Sequence, residues 1–521
     1  MQPGSFGVHP GDPMPDRLRL ILGVKLRALR QSRGLGLKAV AQKAGLSVSY
    51  LSEIEQGKKY PRAEKLVDLA YALGVPYDDL VSLRVDRGLD AVKGAIESPF
   101  LRAFPFRLFG VEPESVVNLL AGMADRGEAL VRAMSDLGRA YDARVEDVLL
   151  AALRAYQQMH ANRFPDLEAA AERLRTRLRL GASPTAEALR EALEQGAGYR
   201  IDTQALAADA ELCSLRSVLV PETAGTEAGG PTLYVNGRLL PEQLAFVYAR
   251  ELGFLELKSA HRPLTSSWIQ VDRFEQVLDN FRGSYVAGAL LLPAAVVDAA
   301  LVGLADAPTW DASGLGALLT RTRSTPEMLF HRLTQRVPEA LGLDELFFLR
   351  VHQPAGTDVV ALTKSFNLSR VPVPHGVADD EHYCRRWADS VALRELDRQE
   401  ARAAGRGEPG GGLVVAAQRQ HFLAENAEFF VVSVARPLQL QPGTHSAVSL
   451  GVLRTRATRR RIRFWDDPAL PLVDVSLTCE RCPLTDCRVR AAPPRLLAAA
   501  EAARRRTEAL AGLAAASPAR L

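Results

Sequence analysis

Three cysteines near the end of the chain, Cys479, Cys482 and Cys487 in TCERCPLTDC, stand with two and then four residues between them. Thiolates so close together suit a metal or cluster, because packing alone gives no reason to gather three of them. Closed sites generally take four ligands. Cys384 in EHYCRRW is the fourth, since Cys213 lies in another region beside apolar residues and reads as buried core; His382 is a substitute ligand. A structural zinc and an iron-sulfur cluster both accept four thiolates, and the spacing leaves both open.

A second pattern, Leu35 to Tyr60, suits nucleic acid. Leu37, Val40, Ala41 and Ala44 form an apolar stripe at helical period, Gly45 permits a tight turn, and Leu51 and Ile54 resume the stripe after Ser47. The spacing predicts two short helices with a sharp corner. Ser47 caps the second, which presents Val48, Ser49, Ser52 and Glu53 where a recognition helix meets base edges. Gly57 ends it, and Lys58 and Lys59 follow as phosphate contacts; Lys38 and Tyr50 complete the DNA-binding set. From Gly23 through Leu80 the pattern resembles the lambda-repressor-like, xenobiotic-response-element (XRE) family of bacterial regulators. The resemblance implies a five-helix domain in which an arginine on the first helix pairs with a glutamate closing the third, and Arg30 and Glu55 stand at those positions. Leu37 occupies a place where that family often has a polar reader.

A third region lies between Tyr199 and about Leu343. LRSVLVPE and TLYVNGRL read as short strands, with a turn at Asn236-Gly237, and lead into the helix PEQLAFVYARELGFLELK. This order resembles a zincin-like metallopeptidase domain, whose helix carries two zinc-binding histidines one turn apart and a glutamate base. Arg250, Glu251, Leu252, Gly253 and Phe254 fill those five positions, and Asn280, Phe281 and Arg282 stand where a third ligand would be supplied. Arginine and phenylalanine offer a metal no lone pair. The expectation is a peptidase scaffold without its chemistry, with Glu251 paired to Arg250 or a neighbouring cation.

Elements must position these groups within a chain of 521 residues, longer than one core usually organises, so several domains are expected. Of its net charge of +4, residues 16–83 hold +5 and residues 84–521 sum to zero, which confines the nucleic-acid footprint to the N-terminal domain. Met1 to Pro15 lacks the basic start and apolar run of a signal peptide, and the apolar stretch Val286 to Leu304 is interrupted by Pro293 and Asp298. A cytoplasmic location without membrane contact is therefore expected. In a reducing compartment, five cysteines argue for metal or redox chemistry over disulfides.

The expected organisation is a multidomain α+β chain: a flexible tail (1–15), an all-α helix-turn-helix domain (16–83), a linker (84–112), a helical spacer (113–197), a degenerate zincin-like α+β domain (198–343), an antiparallel-sheet domain with the cysteine site (344–495), and an Ala/Arg-rich tail (496–521), read as a terminal helix or a frayed end. STPEMLFHRLTQRVPEALGL, Ser324 to Leu343, reads as a helix-turn-helix-like pair. ELFFLRVH, DVVALTKSFNLSRV, GLVVAAQRQHF, EFFVVSVARPL and AVSLGVL read as strands, and Ala404 to Gly412 as a loop between two of them.

LRAYQQMHANRFPDLE, RPLTSSWIQVDRFEQVLDNFRGSYVAGALLLP, EHYCRRW and TCERCPLTDCRVRAAPP, in this order behind a helix-turn-helix, resemble the recurring blocks of long regulators responsive to short-chain fatty acids or acyl-CoA. That resemblance implies an acyl-CoA effector in the central domain and favours a [4Fe-4S] cluster over structural Zn2+ at the cysteines. Arg154, Tyr156, Arg262, Arg282 and Tyr285 are the candidate effector-binding residues. The function expected is a non-enzymatic transcription regulator, a homodimer or higher homo-oligomer, on a palindromic duplex operator. The alternatives are a redox or iron sensor and a metallopeptidase that cleaves a partner repressor.

Overall fold

The computed structural model describes residues 19, 22–23, 25–27, 29–30, 33–81, 104–111, 144–221, 230–265, 271, 273–374, 381–408 and 412–516. Most of the expected linker and the first part of the helical spacer lie outside them. The chain divides into two compact units, Met1–Leu153 with Val271–Phe274, and Arg154–Gln270 with Glu275–Leu521.

In the first unit, helical residues between 19 and 30 precede α1 (Leu37–Lys43), α2 (Val48–Glu55), α3 (Ala63–Leu73) and α4 (Tyr77–Val81). Leu22, Leu26, Val40, Ala41, Leu51, Ile54, Leu66, Leu69 and Leu80 share one core. Each helix is too short to persist in water alone, so burial of these stripes against one another holds them. Gly23 sits where a Cβ would come 2.4 Å from the Ile54 carbonyl oxygen, so only glycine lets the first helical segment meet the end of α2 this closely. α5 (Val145–Met159) runs across the boundary between the units.

The second unit begins with α6 (Pro165–Arg177) and α7 (Ala186–Ala197), then β1 (Arg200–Asp202), β2 (Ser217–Val220), β3 (Thr232–Val235) and α8 (Pro241–Glu256). β3 lies between β1, parallel to it, and β2, antiparallel. Four helices follow: α9 (Phe274–Leu291), α10 (Ala294–Asp306), α11 (Ala312–Thr322) and α12 (Pro326–Leu341). After β4 (Leu346–Pro354) and β5 (Ala361–Asn367), α13 (Ala388–Arg406) precedes β6 (Val414–Phe422), β7 (Ala427–Pro437), β8 (Thr444–Leu453) and β9 (Leu472–Val475), and α14 (Arg495–Ala516) ends the described chain.

The large sheet has the order β5-β4-β8-β7-β6-β9. Its strands β4, β7 and β8 are almost wholly buried because both faces of the sheet are covered there, while the edge strand β5 is mostly exposed. Phe348, Phe430, Val432, Val448 and Leu450 enter a core shared with α6 to α12, while Phe347, Leu349, Phe429, Val431 and Ala447 enter a second core under α13. Neighbouring residues alternate between the two, as the period of a strand requires.

Several expectations change. The sheet is mixed, because β9 runs parallel to β6. Ser324 to Leu343 holds one helix, not a helix-turn-helix pair: Pro338 lies in its last turns without ending it, and Thr325 caps its start by accepting from the Met328 N–H. Ala404 to Arg406 close α13 instead of opening a loop, and Gly407, with φ near 67°, terminates it. No core boundary falls at 197 or 343: Leu167, Leu189, Val247, Leu290, Leu333 and Phe348 belong to one cluster. Cys213 is half-buried at the surface and not a core residue. Among the described residues no single helix is long and apolar enough to cross a membrane; α9 and α10 pass only as a pair bent by 71°.

Candidate DNA-binding face, effector chamber and cysteine corner

The helix-turn-helix is built as its residues dictate. Gly45 takes φ of 60° at the corner. The Ser47 hydroxyl accepts the Tyr50 N–H at 3.1 Å, satisfying an orphan donor of α2. Arg30 grips Glu55 through two bonds, Nε to Oε1 at 2.7 Å and Nη2 to Oε2 at 2.8 Å, and also donates to the Leu35 carbonyl. The first helical segment is thereby locked to the end of α2. Of the residues assigned to DNA, Lys38, Ser47, Val48, Ser49, Lys58 and Lys59 are exposed, while Tyr50, Ser52 and Glu53 are half-buried. Lys59 pairs with Glu53 at 2.8 Å and lies over the Tyr50 ring, so a phosphate contact by Lys59 must compete with that carboxylate. Leu37 is half-buried against the core, which removes it from base reading.

In the second unit, Arg250, Glu251 and Phe254 sit buried on α8. Glu251 pairs with Arg262 at 3.0 Å and receives the Tyr199 hydroxyl at 3.4 Å. Burial pushes the Glu251 carboxyl up, opposed by Arg250 and Arg262. Arg250 and Arg262 both lie over the Phe254 ring. That ring presses on Gly283, where a Cβ would come within 2.4 Å of it. Around Arg250 to Phe254 the structure thus gathers cations, a buried carboxylate and an aromatic ring against a glycine. Two of the proposed effector residues are consumed by structure: Arg262 by Glu251, and Tyr285 by Glu168, to which it donates at 2.8 Å beside the fully buried Arg332. Tyr156 stacks with His160 and Phe164, and Arg282 is half-buried on α9. Tyr156 and Tyr285 both pack against Phe164, while Arg262 lies apart with Glu251 and Tyr199.

What does converge is a group that the sequence reading did not single out. Glu327 and His331 on α12, Arg350 and His352 on β4, Lys364 on β5, and Arg216 just before β2 interact electrostatically, and Arg436 on β7 lies within reach of Glu327 and Arg216. Arg350 holds Glu327 at 2.7 Å, and Lys364 Nζ lies 2.8 Å from His331 Nε2. Burial alone would raise the Glu327 carboxyl, but Arg350, Lys364 and Arg216 outweigh it and hold it well below the ordinary range. Burial depresses His331 far below an ordinary histidine and His352 to about 4, so both rings are neutral at pH 7. Burial also lowers Lys364 to about 8, with Arg350 and Arg216 adding to the shift against Glu327. Lys364 nonetheless keeps substantial exposed surface. Lys364 therefore opens this charged cluster to solvent. Arg216, Arg350, Arg436 and the more weakly protonated Lys364, against Glu327 and Glu242, make this cluster, the recess, rich in positive charge. No sequence spacing reveals it, because its residues are spread from Arg216 to Arg436.

The fourth cluster is the cysteine corner. Residues 381–384 run beside 477–479: Tyr383 bridges Thr478, Cys384 N–H donates to the Leu477 carbonyl, and Cys479 N–H to the His382 carbonyl. Cys384 thus lies near Cys479 and Cys482. Cys384, Cys479 and Cys482 are buried and Cys487 is half-buried. Burial pushes the Cys384 thiol up to about 11, with Cys479 and Cys482 adding to it. Ala491 N–H points at Cys479 Sγ at 3.4 Å, and Arg490 clamps the loop through the carbonyls of Cys479 and Cys482. His382 is turned to Glu480 at 2.8 Å and so is held as a structural partner. Among the described residues no group of three or more His, Cys, Asp or Glu is arranged to hold a metal ion. Thiols are the donors a thiophilic metal takes, and Cys384, Cys479 and Cys482 are the ones whose electrostatics are linked.

Comparison with known proteins agrees with the N-terminal architecture. Residues 21–83 match the family described as Helix-turn-helix domain. An HTH-type transcriptional regulator of Deinococcus deserti, DdrOP3, is 47% identical over 57 residues, covering 11% of this chain and 44% of that protein. The propionyl-CoA carboxylase regulator of Cereibacter sphaeroides is 31% identical over 123 residues, 24% of each chain. The HTH-type transcriptional regulator y4dJ of Sinorhizobium fredii is 37% identical over 65 residues, covering 12% of this chain and 84% of that protein. This chain belongs to the helix-turn-helix transcriptional regulators. Its matches span less than half the length of the first two of these relatives.

Proposed function

We propose that this protein is a DNA-binding transcription regulator whose second unit binds a small anionic effector, an acyl-CoA in the first instance. The DNA-binding half rests on the capped α2, fixed by Arg30 and Glu55, with Lys38, Val48, Ser49 and Lys58 at its surface. The single observation that carries the effector half is the recess of Arg216, Arg350, Lys364 and Arg436, whose positive charge outnumbers the carboxylates Glu327 and Glu242 that it faces. Phosphates of a CoA ester supply the missing negative charge, and guanidinium groups bind them in two-pronged fashion. The partial likeness to a propionyl-CoA carboxylase regulator favours a short acyl chain. Regulation then requires the ligand to prefer one arrangement of the DNA-binding heads, since equal affinity for both states shifts nothing. We take the active form to be a cytoplasmic homodimer on a palindromic site.

The test is a DNA-binding titration of the full chain on its own upstream region, repeated with acetyl-, propionyl- and butyryl-CoA and with CoA alone. An acyl-CoA that shifts the midpoint supports the reading. Unchanged binding with the whole panel removes the thioester and leaves the DNA-binding claim standing.

A further inference from the structure

Lys364 differs from the other cations of the recess in one chemical respect: it can become a nucleophile, whereas arginine stays protonated. The chain is sparing with lysine. Only nine of its 65 Lys and Arg residues are lysine, and beyond Lys93 only Lys258 and Lys364 remain. The one in the recess stands in a position that is costly by simple packing rules. Lys364 lies directly opposite Arg350 in the β4–β5 ladder, two like charges facing each other, and the register shifts just after Arg350. Irregular strand pairing of this kind re-aims side chains and gathers beside active sites. Here it accompanies Lys364 Nζ lying 2.8 Å from His331 Nε2. The His331 ring in turn stacks on Phe348, ring centres 4.2 Å apart, which fixes its orientation.

Resting on the acyl-thioester reading above, we propose that Lys364 is an acyl acceptor, whose amine takes the acyl group from a thioester bound in the recess while His331 takes the proton. The Nζ lone pair forms a bond to the thioester carbonyl carbon, the C–S bond breaks, and its electrons leave with sulfur. The proton lost from nitrogen passes to His331 Nε2 and on to the departing thiolate, so that one amide and one free thiol are formed and nothing else is consumed. The groups facing the amine suit this task. From α12 come Glu327 and neutral His331, from β4 Arg350, and from the segment before β2 Arg216. With the ammonium lowered to about 8, a sizeable share of amine is free near neutrality, whereas an ordinary lysine holds its proton to about 10.4. Acylation would erase the positive charge facing Glu327 and leave a mark that outlasts the free effector.

The experiment uses the full-length chain with propionyl-CoA as the probe, sampled from neutral to alkaline pH and digested for peptide mass spectrometry. The exposed Lys258 is the internal reference. Expected are propionylation of Lys364 about tenfold or more faster than Lys258, in line with an amine held beside its base, a rate rising through pH about 8, and slower labelling in His331→Gln. Labelling of Lys364 no faster than Lys258, or a pH profile that keeps climbing to that of a free lysine, overturns the proposal. DNA binding measured on the same samples separates the two readings. If propionyl-CoA shifts DNA binding while Lys364 stays unmodified, the acyl-acceptor role fails and the effector role survives. If Lys364 is labelled and DNA binding never changes, the effector role fails and acyl transfer stands.

Discussion

Arg30 and Glu55 show how much one pair can decide. The Glu55 carboxylate is nearly buried and both its oxygens are taken by one guanidinium. Arg30→Ala leaves that carboxylate without its partner, and hydrogen bonds to charged groups put the cost at about 2 kcal/mol. The expected outcome is a lower unfolding midpoint for the first domain and weakened DNA binding, while Lys58→Ala lowers DNA affinity with no change in the midpoint; denaturant titration and a binding curve on the same variants check this. Equal midpoints for Arg30→Ala and the parent would show that the pair holds nothing. At this scale the sequence was informative wherever partners lie within one motif. Ser47 as a cap follows from spacing, and Arg30 opposite Glu55 from the resemblance to the XRE family. The partner of Glu251 does not: Arg262 reaches it from beyond the end of α8, and Arg250, its chain neighbour, turns to Phe254 instead.

Elements are held by contacts that spacing reveals only in part. β9 is an edge strand joined in parallel to β6, and His421 ties the two by bonding Asp474 at 2.9 Å, with Asn426 at 3.0 Å on its other nitrogen. The hydrogen bonds to Asp474 and Asn426 raise the His421 pKa above its ordinary value. A raised folded-state pKa gives stability that is complete below the unfolded value of about 6.5 and is lost as pH rises through the folded one. The parent is therefore expected to lose a small increment of stability above that range, and His421→Gln to lack the increment. Thermal unfolding across the pH series reads it, and parallel curves for the two proteins would sink the idea. The period of the strands was legible from alternating apolar residues. The parallel partner of β6 was not, because LVDV carries no direction in its composition. The same limit explains Ser324 to Leu343: a proline at Pro338 suggests a break, yet burial of Leu329, Phe330, Leu333 and Val337 on one stripe keeps α12 whole.

At the scale of the whole molecule, the cysteine corner joins residues 381–384 to residues 477–491. A metal bound there would lock two segments far apart in sequence. The expectation is that anaerobically purified protein carries iron and sulfide with a visible charge-transfer band, or one zinc per chain if the alternative holds, and that Cys482→Ser loses the metal and lowers the unfolding temperature. Protein with neither metal in stoichiometric amount, and a Cys482→Ser variant of unchanged stability, would end the metal reading. Should Cys482→Ser instead abolish an effector response in DNA binding, the redox-sensing alternative gains over the chamber.

The sequence by itself determined the helix-turn-helix, because it depends on residues a few positions apart along one or two elements. Helical period, turn glycines and ligand spacing are local properties and survive in one dimension. Only the tertiary structure decided that α6 to α12 and the large sheet share one core, and that Arg216, Glu327, His331, Arg350, Lys364 and Arg436 line one recess. The physical reason is that a buried charge is set by its neighbours in space. Five separate elements and segments supply them here, and no short-range pattern records which ones will meet.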